Sequence, residues 1–179
     1  MARTGRPRSF DRDAAIVSAM HLFWEHGYEG ASLDQLRRAM GGISSASFYA
    51  AFGSKAALYR ESLDQYLRSH GTVVQAFRDE SLSPRDRVEQ ALRRSAAMQT
   101  APAHPLGCMV VLSSMICSGD GASVQAATAA ERATNREAIF ACVSAGVADG
   151  SLRPETDVTG LARSSKASWW VYRSRRVTA

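Results

Sequence analysis

A chain of 179 residues, 45% of them hydrophobic, is long enough for one ordinary domain or for a small domain joined to a larger one, and it can bury a real core. No apolar run approaches the roughly 18 residues that a membrane span needs, and the basic start "MARTGRPRSF" has no apolar stretch behind it, so the reading is of a cytoplasmic globular protein. The net charge of +5 invites a nucleic-acid partner, but its distribution removes it as evidence: residues 1–60 carry eight Lys and Arg against five acids, residues 61–162 nine against twelve, and the last 17 residues five against none.

Nothing reads as a strand, because apolar residues recur at three and four rather than alternate. Behind an arm bearing Arg3, Arg6 and Arg8, residues Ile16, Ala19, Met20 and Phe23 share one face of a helix from about Asp11 to His26, with Gly27 as its stop. Ser32 and Gln35 form a capping box that opens a short helix to about Met40. Gly41-Gly42 turns the chain into a third helix that starts at Ser44 or Ser45 and carries Phe48, Tyr49 and Phe52. Gly53-Ser54 breaks it and caps a long fourth helix from Lys55 towards Phe77.

The remainder is also helical. Ser83-Pro84 with Asp86 opens a helix to about Thr100. "APAHPLG" is a linker, Cys108 to Cys117 an apolar helix, and "SGDGAS" a turn rather than a nucleotide loop, since no strand precedes it. A long helix follows from Val124 to about Ala148, and a last one begins around Glu155–Thr159. The expected architecture is all-α, with residues 1–54 forming a compact three-helix unit and residues 55–179 a helical second domain.

Two short helices joined by a glycine turn, the second opening with small polar residues, are the helix-turn-helix plan, in which the second helix enters the major groove. Ser44, Ser45, Ala46 and Ser47 are small enough to let the backbone approach base edges, and serine hydroxyls hydrogen-bond to either base type. Tyr49 can offer its hydroxyl to a phosphate, and Lys55 with the free amides of the fourth helix makes an anion site. Arg6 and Arg8, kept out of a helix by Gly5 and Pro7, can reach a minor groove or the phosphates.

Three features over about residues 8–67 resemble the DNA-binding region of the TetR/AcrR family of bacterial transcriptional regulators: the Leu-Phe-x-x-x-Gly-Tyr step at Leu22–Tyr28, the Ser32 cap, and the Phe-Tyr-x-x-Phe-x-x-Lys run from Phe48 to Lys55. The resemblance implies an all-helical homodimer with an N-terminal three-helix reader of a double-stranded operator and a C-terminal effector domain, usually repressing nearby genes until a small molecule binds. It implies phosphate contacts for Ser32, Tyr49 and Lys55 and a base-reading face at Ser45 to Ser47. Phe23, Tyr28, Phe48 and Phe52 resemble its core. The chain departs from many members in having two glycines, Gly41-Gly42, before the recognition helix, so the turn is one residue longer.

Met98, Cys108, Met109, Leu112, Met115, Ile116 and Phe140 fall where such regulators hold an effector, and soft Met side chains suit a permissive apolar pocket; the same set also fits an ordinary helical core. Cys108, Cys117 and Cys142 have no C-x-x-C spacing and read as small apolar fillers. His21, His26, His70 and His104 make no metal-spaced pair, which leaves solvent-facing or packing roles. No catalytic residue, metal site or cofactor can be argued, so the reading is of a non-enzyme.

The tail "ASWWVYRSRRVTA" holds two of the three Trp and three Arg without an acid. In the family the penultimate helix commonly runs through a segment like "GLSVQARDG" into a last helix that completes a four-helix dimer interface, and this chain stops short of such a helix. The genetic code bears on the mismatch. Trp169-Trp170-Val171 must be TGG TGG GTN, and allowed codons from the third base of Ser168 onward read, one base out of frame, Val-Val-Gly-Leu-Ser-Ile-Gln-Ala-Arg-Asp-Gly. The expectation is a frameshift near Arg163–Ser168, with a real adaptation of residues 164–179 as the alternative. Two rivals to a repressor released by an effector stay open: a truncated regulator unable to dimerise, and a helical ligand carrier or enzyme without DNA function.

Overall fold

The computed structural model describes residues 10–112 and 121–164. The arm with Arg6 and Arg8, the segment with Met115, Ile116 and Cys117, and the atypical tail lie outside the described residues. The order is α1 (Arg12–Gly30), α2 (Leu33–Ala39), α3 (Ser45–Phe52), α4 (Lys55–Ser69), a 3-10 segment (Gly71–Arg78), α5 (Pro84–Thr100), α6 (Met109–Leu112), α7 (Ala122–Ala148) and α8 (Val158–Ser164).

Capping serines set most of the boundaries, each hydroxyl accepting an amide that the first helical turn leaves without a partner. Ser32 Oγ accepts from Gln35 N at 3.2 Å while Gln35 Oε1 accepts from Ser32 N at 2.8 Å. Ser44, Ser54 and Ser83 do the same for Ser47, Ala57 and Asp86, at 3.1, 3.0 and 3.2 Å.

Two expected boundaries differ by more than a couple of residues. Gly27 bends α1 instead of ending it: at φ +73° and ψ 176° it leaves the helix, one more turn runs to Gly30, and Tyr28 is delivered into the core. The fourth helix, expected to reach towards Phe77, ends at Ser69 and gives way to the 3-10 segment. Gly71 and the β-branched run Thr72-Val73-Val74 are poor helix formers, and His70, at φ −123°, turns its ring onto Trp24. Of the apolar helix expected from Cys108, the described part is Met109–Leu112, and α7 begins two residues ahead of Val124, at Ala122.

α4 packs along α1, and their aromatic face is the centre of the core. Phe23, Tyr28 and Tyr59 meet at centroid distances of 5.1 to 6.1 Å. Trp24, fully buried, lies against Tyr66, His70 and His104 at 4.7, 5.0 and 4.5 Å, with the His104 ring stacked on the indole. The core also takes in Met109, Val110 and Val124, so it runs without a break from the three-helix unit into the following helices across the boundary expected after residue 54. Further along, α7 lies against α5, where the Cys142 thiol donates to the Pro84 carbonyl at 3.5 Å, and α8 folds back onto α7. Burial raises the Cys142 pKa, which keeps this thiol an apolar filler.

Candidate nucleic-acid interface

The turn between α2 and α3 is closed by backbone. Gly41 N donates to Arg38 O at 3.2 Å and Gly42 N to Arg37 O at 2.9 Å, with Gly41 at φ +84° and Gly42 at +77°. A Cβ at either position would meet nothing within 4 Å, so the requirement for glycine is one of backbone angle, not of space. Arg37 holds the far side: Nε donates to Ile43 O at 2.8 Å and Nη1 reaches Asp34 Oδ1 at 3.1 Å.

α3 anchors itself through Phe48 and Phe52, both buried, four residues apart on one face. That leaves Ser44, Ser45, Ala46, Ser47 and Tyr49 exposed, the Tyr49 side at 52%. Ser47 Oγ is shared with Ser44 Oγ at 2.9 Å. The opposite end of α3 is capped by Gly53, at φ +71°, whose amide donates to Tyr49 O at 2.9 Å.

Ser32 is exposed at the start of α2, its hydroxyl oxygen already serving as a cap and its proton left to donate outward. Lys55 is only half exposed. Its Nζ lies 4.5 Å from the Tyr28 ring centroid, a cation–π contact that holds the ammonium at the start of α4. Burial lowers the Lys55 pKa, opposed by the charge of Glu29. Arg37, Arg38 and Arg12 were not singled out by sequence reasoning; the two Arg at the end of α2 are a legible signal, whereas the Arg12 partners lie 39 and 49 residues away.

The residues expected to line an effector pocket separate. Met109 is fully buried, and Met98, Cys108 and Leu112 pack partly buried against the same core. Phe140 is not gathered with them: it is 49% exposed on α7, bordering an open depression of about 250 Å³ with Arg136, Thr159, Ala162 and Arg163. Of the four histidines, His70 and His104 pack on Trp24, at 4.7 Å from one another, and His26 is exposed. Among the described residues no group of three His, Cys, Asp or Glu is arranged to hold a metal ion, and no helix is long and apolar enough to cross a membrane.

Two short helices joined by a backbone-closed turn, with the second helix presenting small hydroxyl side chains outward, define a helix-turn-helix DNA-binding protein. Residues 15–61 match the model of the bacterial regulatory proteins of the tetR family. The chain is 33% identical over 162 residues to the HTH-type transcriptional repressor ComR of Escherichia coli (strain K12), covering 88% of this chain and 75% of ComR. It is 30% identical over 107 residues to the HTH-type transcriptional repressor BdcR of the same organism, covering 60% and 54% of the two chains. Among solved structures it is similar to a cysteine mutant of the TetR family transcriptional regulator CifR complexed with 26bp double-strand operator DNA, with a TM-score of 0.79, 41% identity, and coverage of 92% of this chain and 85% of that one. The protein belongs to the TetR family: it is a DNA-binding transcriptional regulator and not an enzyme.

Proposed function

We propose that the protein is a repressor that reads its operator with Ser44–Ser47 of α3 and is released by a small-molecule effector. The observation that carries the reading is the two-sided character of α3: Phe48 and Phe52 are buried beneath it while Ser44, Ser45, Ala46, Ser47 and Tyr49 stand exposed on a helix fixed at both ends by caps. Tyr49, Ser32 and Lys55 flank that face and hold phosphates, and Arg6 and Arg8 extend the contact along the backbone or into the minor groove. Met98, Met109 and Leu112 pack into the core that α1 and α4 share, so an effector that acts on them bears on the reader through that shared core.

The working form is a homodimer, because helix-turn-helix heads act in pairs spaced by a helical turn of DNA or a multiple of it. Phe140 and Leu161, 49% and 48% exposed on α7 and α8, support this as apolar surface that a second copy would cover. A duplex selected by the protein from a random-sequence library serves as probe. Tyr49→Phe and Lys55→Ala lower affinity for selected and random duplexes alike and flatten the salt dependence, whereas Ser45→Ala and Ser47→Ala change which duplex is selected. Equal losses for all four variants on both duplexes would sink the assignment. Light scattering at micromolar concentration, with and without duplex, separates a dimer from a monomer.

A further inference from the structure

Arg12, the first residue of α1, is committed to three elements at once. Its guanidinium forms a two-pronged ion pair with Glu61 of α4, Nη1 to Oε2 and Nη2 to Oε1, both at 2.7 Å. Nη2 also donates to the Ala51 carbonyl at 3.4 Å, one of the carbonyls that the last turn of α3 leaves without a helical partner. The guanidinium carbon stands 5.1 Å from the centroid of the Phe52 ring, whose edge meets Phe10 at 6.0 Å. The N-terminus of α1, the C-terminal end of α3 and the middle of α4 are therefore joined at one side chain. Gly53, next to this junction, sits at φ +71° with open space where a side chain would stand, so the residue linking α3 to α4 adds no side-chain contact of its own.

We propose that Arg12 and Glu61 are a positioning pair that fixes the angle of α3 against α1 and α4, so that sequence-specific DNA binding depends on them although neither reads a base. The two-pronged geometry is what makes the pair a brace: a planar fork on a carboxylate resists rotation about two axes, which a single contact does not. With both Glu61 oxygens taken by Arg12 Nη atoms, the fork faces Glu61 rather than a phosphate. The inference rests on α3 being the base-reading helix.

Glu61→Gln separates positioning from charge. Removing a carboxylate from a DNA-binding domain strengthens attraction to phosphates by simple electrostatics, so a brace and a bystander give opposite signs. On the full chain, Glu61→Gln is expected to lower affinity for the library-selected duplex about 3- to 10-fold while affinity for a random-sequence duplex is unchanged or rises. Arg12→Gln is expected to lower the ratio of selected to random affinity by a similar factor, and the double variant to be no worse than the weaker single one, the non-additivity of two residues acting through one contact. Undiminished binding of the selected duplex by Glu61→Gln, a parallel fall on both duplexes, or additive losses in the double variant would each overturn the proposal. Thermal unfolding of each variant is read alongside, and the binding comparison is made at a temperature where every variant is fully folded. If Ser45→Ala leaves the selected sequence unchanged, the base-reading role of α3 fails instead, independently of the pair.

Discussion

The ammonium of Lys55 rests 4.5 Å from the centre of the Tyr28 ring, so the first residue of α4 is held by an aromatic delivered from beyond the Gly27 bend. Burial, opposed by the Glu29 charge, lowers the lysine pKa below its ordinary value. A lowered lysine pKa means that the charged form is penalised in the fold and is lost earlier as pH rises. The contribution to DNA affinity proposed for Lys55 should therefore fade at a lower pH than a free lysine would show. Fluorescence anisotropy at constant ionic strength between pH 8 and roughly 10.5 should show the wild-type and Lys55→Ala affinities converging across that window. Parallel curves would mean that Lys55 carries no phosphate.

Gly41 and Gly42 stand at positive φ with nothing for a side chain to touch. Alanine at either should cost about 1–2 kcal/mol through backbone conformation alone, and asparagine less, since it tolerates the left-handed region. Thermal unfolding of Gly42→Ala against Gly42→Asn checks the order; equal stability of the two would argue against a torsional origin.

Gly146 faces a different limit. An added Cβ would come to 2.7 Å from Leu152 Cδ1, 2.9 Å from Leu152 Cγ and 3.0 Å from Pro84 Cβ. Leu152 can shift its tip, but Pro84 sits at the rigid start of α5. Gly146→Ala should destabilise by about 1–3 kcal/mol, as overpacking does, and Leu152→Ala in the same chain should recover part of that loss. Chemical denaturation of the two single variants and the double tests this, and strictly additive losses would refute it.

His21 and His70 both have lowered pKa values, first through burial and then through the charge of His104. For a histidine whose folded pKa lies below its unfolded one, stability is complete above the unfolded value, about 6.5, and falls as pH drops below it towards the folded pKa values, because the unfolded chain binds the proton first. The unfolding midpoint should therefore decline between pH 7 and pH 5. His70→Gln, which keeps a polar group beside Ser69 while removing the titration, should flatten the decline. An unchanged slope would place the proton uptake elsewhere.

The local devices were legible in the sequence and the long-range ones were not. Ser32, Ser44, Ser54 and Ser83 are legible because a cap is a contact over two or three residues, decided by side-chain chemistry in one turn. Phe48 and Phe52 follow from helical period. The Arg12 brace spans 49 residues, and the packing of His70 and His104 on Trp24 joins α4 to a linker after α5; neither leaves a local trace. The early end of α4 has a related cause, since helical period alone carries the pattern past Gly71 whereas the backbone responds to the β-branched run behind it. Apolar character alone does not distinguish a side chain facing the core from one that, like Phe140, stands half exposed.

The turn before α3 is shaped by Gly41, Gly42 and the Arg37 grip on the Ile43 carbonyl, none of which belongs to the exposed face proposed to meet bases. The attitude of the helix and the chemistry on its surface are thus written in non-overlapping residues. With the base-reading role proposed for α3, a new recognition sequence is acquired by exchanging Ser45, Ala46 or Ser47 with the docking pose retained, and the pose is retuned through the turn with the exposed serines left intact. The two kinds of change are separable, and a library that varies one set at a time explores specificity without dismantling the domain that presents it.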